Sequence, residues 1–279
     1  MDLKKPLWPL FEFVTQLYLI SPHGGLEDLI QELPDDLKLL DIIYKQPSML
    51  IRPIASVFDN LALIKKGRDI TLPDIRDEDG KELPLFDAMI SLTKQRVLEY
   101  ELEAINSALC GPCSCVLCCT GPDLSARQEF FEIPLLDEEI SLFSRFPIVD
   151  SMKSRAKTAY SEPELEIDGA PFYKRPSAIY HWATGYSLIL VRGAACPHLN
   201  ASGSCNIYSS RPVACRKPQI FPFVIERLSG RHQDAAERYL RRDALLAIWD
   251  CPYVKEFKAE IITYARLCNL TCIFKENKA

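Results

Sequence analysis

Cysteine dominates the chemistry open to this chain. Cys110, Cys113, Cys115, Cys118 and Cys119 fall within one ten-residue stretch, Cys110-Gly-Pro-Cys-Ser-Cys-Val-Leu-Cys-Cys119, with no long apolar run to bury them as core thiols. About eighty residues on, Cys196-Pro-His-Leu, Ser204-Cys205-Asn-Ile-Tyr208 and Arg211-Pro-Val-Ala-Cys215-Arg216 bring three more, and a single Cys251-Pro follows. Thiolates bind zinc at about 2.3 Å in closed tetrahedral sites, and cysteine tetrads also hold iron–sulfur clusters. The density of thiols predicts such a centre.

Either use needs ligands presented from tight turns, because one helix or strand cannot converge three side chains on a point. Cys115-x2-Cys118 is such a turn, and so is Cys110-x2-Cys113, so either Cys110 or Cys113 serves as the leading residue of the array. Spacing does not choose between zinc and iron. Adjacent Cys118 and Cys119 strain a mononuclear site if both bind, whereas a multi-iron cluster or two separate centres can use them, which favours a four-iron, four-sulfur cluster over zinc. His198 is either a ligand or a hydrogen-bond partner of a thiolate. Arg211 and Arg216 supply positive charge against many thiolates, and Tyr208 is expected in the core.

Compartment decides how the thiols are read. Lys4 and Lys5 precede an apolar segment, but Pro6, Pro9 and Glu12 interrupt it, no cleavage site follows, and no stretch of about 18 apolar residues occurs. A cytoplasmic protein away from membranes is expected, and in a reducing cytosol clustered cysteines are metal ligands or redox centres rather than disulfides. The total of 11 is odd as well. A net charge of -5 and pI near 5.5 argue against a nucleic-acid partner, which needs clustered Lys and Arg. Hydrophobic residues at 48% and charged residues at 25% are ordinary for a globular chain.

The elements that must position these residues read as α+β and mainly helical: a helical amino-terminal region over 1–109, a cysteine-rich metal-centre domain over 110–255 with a small β-hairpin or sheet, and a carboxy-terminal helix over 256–279 packed on it. Leu26, Leu29, Ile30, Leu37, Leu40 and Ile43 recur at helical spacing, and Leu72 to Leu83 is a loop. Phe86, Met89, Ile90, Val97, Leu98, Leu102, Ile105 and Leu109 predict one long helix delivering the chain to the first cysteines. Glu101 and Glu103 fall on its solvent face, and His23 in a turn. Phe130 to Leu135 is extended, and Asp137 opens a helix that turns Ile140, Phe143 and Phe146 inward. Tyr186 to Gly193 is a strand leading to Cys196, with Cys196 and Cys205 on two arms of a hairpin. Arg227 to Trp249 is expected to be helical, as is Pro252 to Leu267, with Cys268 and Cys272 on one helical face in the core.

The Cys115-Val-Leu-Cys118-Cys119 run, Leu135-Leu-Asp-Glu-Glu-Ile140 and, above all, Cys196-Pro-His-Leu with Cys205-Asn-Ile-Tyr-Ser-Ser-Arg-Pro-Val-Ala-Cys215-Arg resemble the CxxCxxCC cysteine-cluster family over roughly residues 110 to 255. That family is described as zinc- or iron-chelating, carries eight characteristic cysteines, and includes bacterial flagellin lysine N-methylase. The resemblance implies Cys115, Cys118, Cys119, Cys196, Cys205 and Cys215 as ligands, with Cys113 standing in for the leading cysteine and Cys251 as the eighth. Two departures stand out. Pro112 occupies the family position of the leading cysteine, and the family's Cys-Arg-x-Phe-Pro-Phe is stretched to Cys215-Arg-Lys-Pro-Gln-Ile-Phe-Pro-Phe223.

Two classes of function follow. The resemblance implies an enzyme acting on a protein substrate, of protein-lysine methyltransferase type, although the chain has no Gly-x-Gly-x-x-Gly loop and no Cys-x3-Cys-x2-Cys signature. The residues alone imply a metal or cluster carrier, a redox sensor, or a domain stapled by structural zinc.

Overall fold

A computed structural model describes residues 2–22, 25–113, 115–116, 119–121, 129–151, 165–182, 185–216, 219–228, 238–249 and 251–275. His23 and Cys118 lie outside them, as do parts of the connections after Asp150 and Leu228. Of the described residues 41% are helical and 28% lie in strands, distributed over four sheets. The fold is α+β, and the expectation of a mainly helical chain is corrected.

Two compact units divide the chain, one built from residues 1–106, 219–250 and 254–276, the other from 107–218 and 251–253 with the last residues of the chain. In the first, α1 (Trp8–Ile20) and α2 (Leu26–Gln31) lead to a hairpin of β1 (Asp36–Leu39) and β2 (Ile42–Lys45). This hairpin replaces the helix expected over Leu37 to Ile43. Ile42, Ile43 and Tyr44 favour extended backbone, and Leu40 takes a left-handed φ of 54° at the turn. Then come α3 (Pro47–Ile51), a 3-10 stretch, α4 (Asp59–Lys65), a short β3 (Asp74–Arg76) inside the expected loop, and the long α5 (Leu85–Cys110). The expected long helix is present, and Val97, Leu98, Leu102 and Ile105 form its buried stripe.

In the second unit, β4 (Phe130–Leu135) is followed by a 3-10 turn over Asp137–Phe143, β5 (Ile148–Asp150), the small hairpin of β6 (Glu166–Ile167) and β7 (Ala170–Pro171), then β8 (Ala178–Trp182) and β9 (Gly185–Val191). The sheet runs β4-β9-β8-β5. Both of its faces are covered: Ile133, Leu135, Phe143, Ile179, Leu188 and Leu190 pack on one side, and Phe172, Ala178, Tyr180, Trp182 and Ile189 on the other. That is why Leu188-Ile-Leu190 reads as an unbroken apolar run rather than an alternating one. Ile140 and Phe146 pack inward as expected. The short helix α6 (Val213–Arg216) closes this stretch.

The chain then returns to the first unit with β10 (Ile220–Leu228) and β11 (Arg238–Ile248), an antiparallel pair where a helix over Arg227 to Trp249 was expected. Ala244-Leu-Leu-Ala247 has helical preference, but pairing with the aromatic and β-branched Ile220-Phe-Pro-Phe-Val-Ile225 overrides it. After α7 (Pro252–Glu256) and α8 (Lys258–Leu267), β12 (Thr271–Lys275) runs parallel to β11, and β3 adds parallel to the other end of the same edge. Cys268 therefore caps α8, fully buried, while Cys272 sits on β12, so the two do not share a helical face.

Glu101 departs furthest from expectation. It is fully buried in the first unit, where Oε2 accepts from the Leu7 N–H at 2.9 Å and from the Tyr264 hydroxyl at 2.7 Å, and Oε1 has no partner. Burial pushes its carboxyl up to about 7 against these two hydrogen bonds.

Candidate metal centre

The first array begins where α5 stops. Proline cannot follow in a helix and disfavours helical backbone in the residue before it, so Gly111-Pro112 ends α5 at Cys110. The chain turns at once, the Cys113 N–H reaching the Cys110 carbonyl at 3.2 Å. Cys113 and Cys115 are half-buried. A second turn, closed by the Cys119 N–H on Val116 O at 2.8 Å, sets Cys119 at the start of a short extended stretch.

That stretch meets the second array directly. Thr120 bridges Ala195 in antiparallel fashion, the Cys196 N–H donates to Cys119 O at 2.7 Å, and the Gly121 N–H donates to Ala194 O at 2.6 Å. The approach is closed to any other residue at 121, because a Cβ on Gly121 would lie 1.9 Å from the Val191 carbonyl oxygen. Two thiol-bearing segments distant in sequence are thus joined by backbone. Residues 109–239 match the model of the CxxCxxCC family, whose description is "putative zinc- or iron-chelating domain". Over this segment, just under half of the chain, the sequence is similar to the CxxCxxCC family. No curated protein and no solved structure matches the chain.

Within the CxxCxxCC segment, Cys196 opens a turn closed by Leu199 N–H on Cys196 O at 3.0 Å, and the backbone N–H groups of His198 and Leu199 donate to its sulfur. Leu199 bridges Cys205, and the Asn206 N–H reaches His198 O at 2.7 Å, so Cys196 and Cys205 do stand on two arms of a hairpin. Asn200 shapes its tip, its Oδ1 accepting from the N–H groups of Ser202 and Ser204 at 3.0 and 2.9 Å. His198 Nε2 lies 2.7 Å from the Leu142 carbonyl, which can only accept, so the imidazole donates there and tethers the hairpin to the 3-10 turn.

Cys215 sits on α6, held by its N–H on Pro212 O at 2.9 Å. Glu139 fixes that helix: Oε1 accepts from the Val213 N–H at 2.8 Å and Oε2 from the Leu136 N–H at 2.9 Å. Glu139 lies in the turn that Asp137 opens, and nothing local announces its partner 74 residues away. Cys196 and Cys215 both pack against the Ile133–Leu190 face of the sheet.

Arg211 is buried where the arrays meet. Its Nε donates to Tyr208 O at 2.9 Å, Nη2 to Ser107 Oγ at 3.0 Å and Nη1 to Cys215 O at 3.2 Å, and Nη1 also lies 4.0 Å from Cys110 Sγ. The guanidinium rests 3.8 Å over the Tyr208 ring. Tyr208 is half-buried rather than in the core, its hydroxyl donating to the Ser107 carbonyl.

Three thiols act electrostatically on Cys119. Burial pushes Cys119 up to about 11, Cys196, Cys205 and Cys110 add to the rise, and Arg211 opposes it. Burial likewise raises Cys196, against its two backbone donors and Arg145. Thiols that resist ionisation alone are the ones a bound cation deprotonates, so the donor set suits zinc or iron. Among the described residues no three of His, Cys, Asp or Glu already stand as a closed metal-binding group. Cys196, Cys205 and Cys110 lie within electrostatic reach of Cys119, Cys215 lies on the same face of the sheet as Cys196, and Cys251 is buried in the same unit. Cys268 and Cys272 belong to the other unit.

Proposed function

We propose that the unit of residues 107–218 and 251–253 holds a thiolate-bound metal centre with Cys119, Cys196 and Cys205 at its heart, and Cys113, Cys115, Cys118, Cys215 and Cys251 as the further ligands. The backbone junction between Cys119 and Cys196 carries this reading, because it brings the two arrays together before any metal is considered. The N–H groups aimed at the Cys196 sulfur favour it too, since such donors stabilise thiolate charge. An iron–sulfur cluster is favoured over mononuclear zinc by the adjacent Cys118 and Cys119. When bound, a cluster supplies electron transfer and a cross-link, whereas zinc supplies the cross-link alone.

The chain's own part is to hold thiols on tight turns, shield them on one face of the sheet, and offset their charge with Arg211. A reducing, cytoplasmic setting keeps such thiols available. The test is anaerobic purification followed by elemental analysis, acid-labile sulfide and a visible spectrum. Iron with sulfide and a brown colour is expected. Colourless protein with stoichiometric zinc replaces the cluster by zinc, and protein without either metal overturns the centre.

A further inference from the structure

We propose that Cys110, at the last residue of α5, is itself a thiolate ligand of the centre, and that Arg211 is the positioning residue that holds it there by spanning the two arrays. The inference rests on the metal-centre reading and adds to it a ligand outside the eight that the family pattern implies.

Three observations carry it. Arg211 is 7% exposed, and a guanidinium is buried only where its donors are met. Ser107 Oγ, Tyr208 O and Cys215 O meet three of them at 2.9 to 3.2 Å, which fixes the fork rigidly. The nitrogen that binds the Cys215 carbonyl is also the one facing Cys110 Sγ at 4.0 Å. One cation therefore couples the end of α5 to the backbone of a cysteine in the second array.

The surroundings are built for this contact. Tyr208 stacks under the guanidinium and ties its hydroxyl to the Ser107 carbonyl in the last turn of α5. Gly111 leaves room for that ring, since a Cβ there would come within 3.1 Å of the Tyr208 hydroxyl.

The experiment is a double-mutant cycle on the full chain, purified anaerobically, with bound zinc and iron counted and their release to excess EDTA timed. Cys110→Ser and Arg211→Met should each speed release about tenfold, the worth of a charge-assisted contact. The double variant should be little faster than Cys110→Ser alone, because Arg211 acts through that sulfur, and Cys272→Ser, on β12 of the other unit, should release at the parent rate. Circular dichroism checks the fold. Should Arg211→Met lose it, Arg211→Lys takes its place in the cycle, retaining the charge and losing the fork. Two outcomes overturn the inference: Cys110→Ser releasing metal at the parent rate, or the two effects multiplying in full. A parent chain without zinc or iron overturns the metal centre itself, and with it this assignment, so the two failures are read from different samples.

Discussion

Replacing Glu101 by glutamine should change how the stability of this protein responds to pH. The carboxyl is fully buried and moves from its ordinary 4.5 to about 7, chiefly through burial. Between those values the folded chain keeps a proton that the unfolded chain has released, so stability falls as pH rises. The contribution is complete below about 4.5 and is lost as pH climbs through about 7. At ~1.36 kcal/mol per tenfold change in acidity, the loss is ~3 kcal/mol, a large share of the ~5–15 kcal/mol typical of a folded domain. Glutamine keeps an oxygen for the Leu7 N–H and the Tyr264 hydroxyl but cannot ionise. Its amide nitrogen takes the place of an oxygen that has no partner, which costs ~1–3 kcal/mol at every pH. Urea unfolding of parent and variant, followed by tryptophan fluorescence from about pH 5 to about pH 8.5 under reducing conditions, measures the difference. The parent should lead at low pH and lose that lead as pH rises. Parallel curves would refute the assignment of a displaced proton to Glu101.

Gly121→Ala should part the two arrays, since its Cβ would lie 1.9 Å from the Val191 carbonyl oxygen, and a cost above ~3 kcal/mol is expected. Loss of bound metal together with a lower urea midpoint checks it. Cys205→Ser should release metal and loosen residues 107–218, read from elemental analysis and proteolysis; full retention of metal would count against its role. Glu139→Gln keeps shape but leaves one acceptor oxygen for the N–H groups of Val213 and Leu136 and sets an amide nitrogen against the other, a cost of ~1–3 kcal/mol. Faster amide exchange at Val213 is the measure.

Sequence periodicity was most informative where one surface decides. The stripe of Val97, Leu98, Leu102 and Ile105 announces α5, and Phe130 to Leu135 and Tyr186 to Val191 announce β4 and β9. It failed at β11, where Ala244-Leu-Leu-Ala reads as helix until its partners at Ile220 to Phe223 are known. Glu101 was misread for a related reason. A carboxylate on a helix is ordinarily solvated, and its partners, Leu7 and Tyr264, lie far off in the chain. The cysteines were legible from density alone, but the backbone bonds that join Cys119 to Cys196 leave no trace except a glycine two residues past the array. Arg211 was legible as a charge, not as a bridge.

The order in which the chain is synthesised gives the two units different fates. Asp74–Arg76 cannot join its sheet until Arg238–Leu240 has left the ribosome, so the first unit stays incomplete through most of translation. Residues 107–218 emerge as one uninterrupted stretch and can close earlier. Their thiols can be sequestered while the flanking helices still await a partner, and Cys251, beyond β11, comes last.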